Sequence, residues 1–280
     1  MRLGSPGLEV AQPPVIAGAA SHEFYRPLEN IVLTSRSDEF TNAILDPKWG
    51  VTVGGVPAIV DGPVDGFSVP AAGHVRITPN YRGSWLAVRP PGGGTCQVRQ
   101  LVTCGDFQVR TRFGCSFARV AAGWGGGPPV GRADAWIAFC PDVAGQPDQA
   151  NNHVRMGWFT DVVSGVPFLQ AFQKDGGAFY VTNYPEAGTG LQRTIAGSGE
   201  FVICLNASGG NKWVYGFYLA DGQFIQFPGG AGWPVTVGQP MWILYNLPNP
   251  SAASGIMPDG TITHYIDFFR ESTNLNIWTP

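Results

Sequence analysis

Gly105-Asp106-Phe107-Gln108-Val109-Arg110-Thr111-Arg112-Phe113 decides the class of fold. Past the Gly-Asp turn, Phe107, Val109 and Phe113 alternate with Gln108, Arg110 and Arg112, the period of a strand with one face on a core. Outward from it, runs of the same kind recur between Gly, Pro, Asn and Asp. They are Gly50–Val53, Val56–Val60, His74–Thr78, Ser84–Val88, Cys96–Thr103, Phe107–Cys115, Ala133–Cys140 and His153–Thr160 in the first part of the chain. Val166–Gln173, Ala178–Asn183, Glu200–Asn206, Lys212–Leu219, Phe224–Phe227, Pro240–Asn246 and Thr263–Arg270 follow. About fifteen short strands exceed an immunoglobulin-like sandwich and suit a larger two-sheet jelly roll. Asp175-Gly176-Gly177, Asp221-Gly222 and Asp259-Gly260 place glycine where hairpins need positive φ.

Composition agrees. Charged residues are 13% of the chain, Gly 39, Pro 24 and aromatics 12%, as many short strands joined by tight turns require. Residues 1–36 carry Pro6, Pro13, Pro14 and Pro27 with little alternation and read as an extended Pro-rich arm, with a disordered tail as the alternative. Residues 37–280 form the sandwich. Formal charge −3, pI near 5.8 and no long Lys/Arg run argue against nucleic acid. Apolar stretches such as Phe201–Leu205 and Met241–Tyr245 fall far below the ~20 residues of a membrane-spanning helix. Met1–Ala20 lacks the apolar core of a secretory signal, so cytoplasmic synthesis is expected. Cys96, Cys104, Cys115, Cys140 and Cys204 read as buried thiols, with a Cys96–Cys104 or Cys104–Cys115 bridge as the alternative.

Three segments carry a family resemblance. Ser37-Asp38-Glu39-Phe40 with Leu45-Asp46-Pro47-Lys48-Trp49, then Gly105–Phe113, then Tyr265-Ile266-Asp267-Phe268-Phe269-Arg270, resemble in order the opening, middle and closing strands of concanavalin-A-like β-sandwich domains. Ala133-Asp134-Ala135-Trp136-Ile137-Ala138-Phe139 is similar to the A-D-G-I-A-F segment of L-type lectins. That resemblance implies an all-β jelly roll of two antiparallel sheets, with Asp134 accepting sugar hydroxyls; a turn carboxylate bound by backbone amides is the alternative. The lectins' metal-binding V-E-F-D corresponds here to Val154–Asp161, which lacks its glutamate. Related domains hold one structural calcium between first and last strands, and Asp38 and Asp267 match those positions; otherwise Asp267 pairs with Arg270 or caps a strand end.

Catalysis finds little footing. Retaining glycosidases of this fold need carboxylates about 5–5.5 Å apart on one strand, and the glutamates at 9, 23, 29, 39, 186, 200 and 271 never alternate within one. His22, His74, His153 and His264 show no metal-ligand spacing, and no G-x-S-x-G elbow occurs. No enzyme is therefore expected. Trp124 and Trp233 sit in Gly/Pro-rich loops where a flat ring could stack on sugar. Trp85, Trp136, Trp158, Trp213 and Trp242 lie in apolar strands and read as packing.

By analogy with bacteriophage particles, the leading expectation is a virion structural protein, a head decoration or a tail, fibre or baseplate component. Its residues 1–36 would anchor on other virion subunits, and its outward sandwich would form a homo-oligomer able to bind host glycans. The alternative is a freestanding lectin-like carbohydrate-binding module; a glycoside hydrolase comes third.

Overall fold

The structure, a computed structural model, describes residues 32–62, 64, 69–80, 83–115, 135–160, 167–176, 178–184, 199–209, 212–219, 224–227, 234–249 and 262–273. Its strands in chain order are β1 Gly50–Val53, β2 Val56–Pro57, β3 Ile59–Val60, β4 His74–Asn80, β5 Gly83–Arg89 and β6 Thr95–Thr103. Next come β7 Phe107–Cys115, β8 Ala135–Val143, β9 Gln146–Pro147, β10 His153–Thr160, β11 Pro167–Asp175 and β12 Ala178–Tyr184. The last are β13 Gly199–Asn206, β14 Lys212–Leu219, β15 Phe224–Phe227, β16 Pro240–Pro248 and β17 His264–Ser272. No helix occurs among the described residues.

Two sheets face each other. The first has the order β12-β11-β10-β8-β16-β6-β1-β2, with β9 paired onto β8, and the second β15-β14-β13-β7-β17-β5-β4-β3. Successive strands cross between them, β6 in the first, β7 in the second and β8 back in the first, as in a jelly roll. The run Val56–Val60, expected as one strand, divides between the sheets: β2 pairs with β1, whereas β3 pairs in parallel with β4. Pro57 has no N–H for a continued ladder, and the Ala58 N–H turns back to the Val51 carbonyl at 2.9 Å, so the chain changes sheet there.

The alternation of β7 does what its sequence implies. Phe107, Val109 and Phe113 enter the core, where Phe107 stacks on Phe139 (5.4 Å) and Phe113 on Phe201 (4.6 Å), joining the two sheets. Thr111, the polar member of that face, is fully buried and hydrogen-bonded to the Tyr245 hydroxyl of the opposite sheet at 2.6 Å. Burial pushes the Tyr245 hydroxyl's pKa upward, so it stays protonated in that bond. Trp158 and Trp213 are core residues as expected, Trp158 edge-on to Phe201 and Phe217 and Trp213 against Phe107.

The opening motif has a physical reason. Phe40 adopts φ 50°, a strained region for a bulky side chain. One Asp38 oxygen accepts the Phe40 N–H at 2.7 Å and the other accepts Trp49 Nε1–H at 2.9 Å. Both rings are then buried against each other, with Trp49 also against Tyr245 and Phe269. Asp38 and Phe269 exchange both backbone hydrogen bonds at 2.7 Å, tying the opening motif to the closing strand. Thr34 and Arg36, which the sequence assigns to the arm, also meet that strand: Thr34 N–H donates to the Glu271 carbonyl at 2.8 Å, and Arg36 forms a two-point pair with the buried Glu271 carboxylate. Residues 1–31 lie outside the described residues. Cys96, Cys104, Cys140 and Cys204 are free and buried, which excludes both bridges weighed from the sequence; burial pushes Cys96 up to about 12 and Cys104 to about 11.

Candidate functional site

The residues singled out for sugar or metal binding separate into two groups. Asp134, Trp124 and Trp233 lie outside the described residues, as does Asp161. Asp38 and Asp267 are described. The Asp38 carboxylate is occupied by the Phe40 N–H, the Trp49 indole and, at 3.4 Å, the Lys48 ammonium. Asp267 is the extra residue of a bulge between Ile266 and Phe268 opposite β7, and Arg112 Nη1 donates to it at 2.8 Å. Arg270 is held by Glu39 at 2.5 and 2.7 Å, and the Asp267 charge adds to the field that raises its pKa, in the direction of the Asp267–Arg270 pair that the sequence offers. Both carboxylates thus neutralise cations of the protein itself and do not fit as calcium anchors. Among the described residues no group of three His, Cys, Asp or Glu side chains comes together to hold a metal.

The outer face of the first sheet has a different character. Along β8, Ala135, Ile137 and Phe139 enter the core, so Trp136, Ala138 and Cys140 point the other way; along β16, Met241, Ile243 and Tyr245 enter it, leaving Trp242, Leu244 and Asn246 outside. Ala138, Cys140 and Leu244 form a fully buried floor on this outer face, with Trp136 and Trp242 packed against it and half-buried. Trp136 and Trp242 therefore pack, as expected, but on this outer floor and not in the core between the sheets. Both strands are apolar on both faces because they occupy the middle of the sheet, so alternation does not betray which tryptophans look outward.

Register sets the surroundings. Asn246 lies between Trp136 on β8 and Gln97 on β6, with the Gln97 amide donating to Asn246 Oδ1 at 3.4 Å. Opposite Trp136 on β10 stands Gly157, facing Gln170 on β11. A Cβ at Gly157 would overlap the Ala135 carbonyl oxygen and the Trp136 Cα, so only glycine allows the approach that seats Trp136. In the next row Phe172, Arg155, Ala138, Leu244 and Arg99 follow one another across five strands. The Arg155 guanidinium lies 5.0 Å from the Trp136 ring centre and 4.3 Å from that of Phe172, and Arg99 lies 4.7 Å from that of Trp242. Trp242 Nε1–H donates to Asp142 at 2.9 Å. His153 stacks on Phe172 at 5.1 Å; burial first, then the Arg155 charge, lowers its pKa to about 4 and keeps it neutral at pH 7.

The outer face of the second sheet is an ionic mesh. Glu200 joins Arg110 and Arg112, Asp267 joins Arg112, and Arg112 and Arg270 lie over the ring of Phe268 at 5.2 and 4.2 Å. Its carboxylates are engaged by guanidinium groups, unlike the acid and nucleophile of a hydrolase.

No family model matches the sequence, and no curated protein matches it. Among solved structures, a point variant of the Emp46p carbohydrate recognition domain is 9% identical with a TM-score of 0.50, covering 86% of this chain and 97% of its own. Rv0315 of Mycobacterium tuberculosis, described as an immunostimulatory antigen and pseudo β-1,3-glucanase, is 15% identical with a TM-score of 0.46 over 84% and 97%. Lectin I-B4 from Griffonia simplicifolia in its metal-free form is 12% identical with a TM-score of 0.46 over 86% and 100%. At these identities the similarity speaks to fold alone, and the chain has the two-sheet jelly-roll sandwich of lectin-like domains.

Proposed function

We propose that this chain is a carbohydrate-binding module that receives a glycan on the outer face of its first sheet. One observation carries the reading: Trp136 and Trp242, set on a buried apolar floor and only partly buried themselves, stand among the side chains of Gln97, Asn246, Gln170 and Asp142. A sugar ring presents C–H groups on its faces and hydroxyls at its rim, so aromatic rings beside amide and carboxylate groups meet both needs. The Emp46p carbohydrate recognition domain, which shares the fold, agrees with this reading. The virion role draws no support from the solved structures. Hydrolysis draws no support from this face: Asp142, the carboxylate beside this platform, accepts the Trp242 indole N–H, and its neighbour Asp148 accepts the Asn151 N–H and the Asn152 amide.

The test is a glycan array read with the full chain and with Trp136→Ala and Trp242→Ala, the fold of each variant checked by circular dichroism. At least one glycan should bind, with affinity falling about tenfold or more in each variant, the scale of a lost stacking anchor. Absence of any binding, or binding indifferent to both tryptophans, would overturn the proposal.

A further inference from the structure

Arginines of the second sheet's outer face are paired with carboxylates, and among the described residues Arg99 on the first sheet is not. On the second sheet Arg76 meets Asp61 at 2.9 Å, Arg110 meets Glu200, Arg112 meets Glu200 and Asp267, and Arg270 meets Glu39. Each is a charge-assisted pair that leaves little field outside. On the first sheet Arg99 lies over Trp242 and has no carboxylate partner among the described residues. Its neighbours by register are Gly50 on β1 and Leu244 on β16, with Gln97 and Leu101 flanking it on its own strand face. The nearby acids gather at the β8–β9 end, and both are used: Asp142 accepts the Trp242 indole, and Asp148 accepts the Asn151 N–H and the Asn152 amide.

A guanidinium on an aromatic ring keeps its in-plane N–H donors directed sideways and is preorganised for a planar anion. The Arg155 guanidinium also lies by aromatic rings, those of Trp136 and Phe172, and the row that holds both arginines leads from Arg155 through Ala138 and Leu244 to Arg99. That is three inter-strand steps, about 14 Å between their backbones. One sugar ring could meet one of these cations; a chain of sugars could meet both.

We infer that the glycan bound on this face is acidic, an oligosaccharide bearing carboxylate or sulfate groups, with Arg99 as the receptor for one such group. The inference rests on the carbohydrate-binding reading and adds the ligand's charge to it. Nucleic acid shares the anionic and stacking chemistry, but the chain as a whole carries a formal charge of −3, which repels an extended polyanion and favours a ligand met locally.

The experiment titrates the full chain calorimetrically with short oligosaccharides of galacturonate, alginate and chondroitin sulfate. Each is paired with its neutral counterpart, carboxyl-reduced and, for chondroitin sulfate, desulfated as well, and a single-stranded oligonucleotide is run alongside. At least one acidic chain should bind about tenfold or more tightly than its neutral counterpart. Arg99→Gln should remove that lead, and Arg99→Lys, which keeps the charge without the planar fork, should restore part of it. On the unaltered protein, raising salt from about 0.05 to about 0.5 M should weaken the acidic chain's binding and spare the neutral one's. If acidic and neutral chains bind equally and Trp136→Ala abolishes both, the acidic assignment falls while the carbohydrate reading stands. If no glycan of either kind binds, or the oligonucleotide binds more tightly than every glycan, both fall.

Discussion

Acidification from pH 7 to pH 5 should destabilise this protein through two histidines. His153 is 4% exposed and His264 0%, and burial lowers each to about 4 from an ordinary value of 6.5. For His264 the Pro248 carbonyl, 2.9 Å from Nε2, opposes the burial effect without cancelling it. At pH 7 both rings are largely neutral folded or unfolded, so they add no difference. Between pH 6.5 and about 4 the unfolded chain takes up protons that the folded chain refuses, and stability must fall as pH falls. With these values the loss at pH 5 is roughly 2 kcal/mol for each ring, a large part of the ~5–15 kcal/mol of a typical domain. Most carboxylates remain ionised in both states at pH 5, so this window isolates the histidines. Urea unfolding at pH 7, 6 and 5 measures the loss, and His153→Gln and His264→Asn should each remove about half of it. A stability that stays flat from pH 7 to 5, or variants that lose as much as the parent, would refute the reasoning.

Three further outcomes follow from single positions. Gly157→Ala should cost more than about 2 kcal/mol in denaturant unfolding, because its Cβ meets backbone atoms of β8 that cannot move aside; a cost near zero would show that the two strands lie further apart. Ala144 holds φ 51° in the tight turn between β8 and β9, followed by Gly145 at 80°, so Ala144→Gly should raise stability by about 0.5 kcal/mol despite the greater freedom of the unfolded chain. Because Asp38 and Asp267 already hold Lys48 and Arg112, excess EDTA or added calcium should leave the thermal midpoint unchanged, and a rise of several degrees with calcium would reveal a metal site.

The sandwich was legible wherever one strand face is wet. β7, β10, β14 and β15 begin and end where their sequence patterns do, and the Asp38, Phe40 and Trp49 motif packs as one unit because a carboxylate can bind two N–H donors at once. The outer face of the first sheet was less legible. In β8 and β16 the floor residues Ala138, Cys140 and Leu244 are as apolar as the core, so Trp136 and Trp242 could not be told from Trp158 and Trp213 by alternation. The charge asymmetry was hidden for another reason: which arginine is neutralised depends on pairing across strands distant in sequence, as in Arg270 with Glu39 and Arg112 with Glu200. The expected site at Trp124 and Trp233, from loop composition, and Asp134, from the lectin resemblance, lies outside the described residues.

The most direct test of the central claim is an indole N–H NMR titration of the full chain with the glycan that binds best on the array. Trp136 and Trp242 resonances should shift progressively, while those of the buried Trp49, Trp158 and Trp213 stay in place. Shifts confined to Trp85, which packs against Tyr265 on the opposite sheet, or to none of the indoles, would contradict the account.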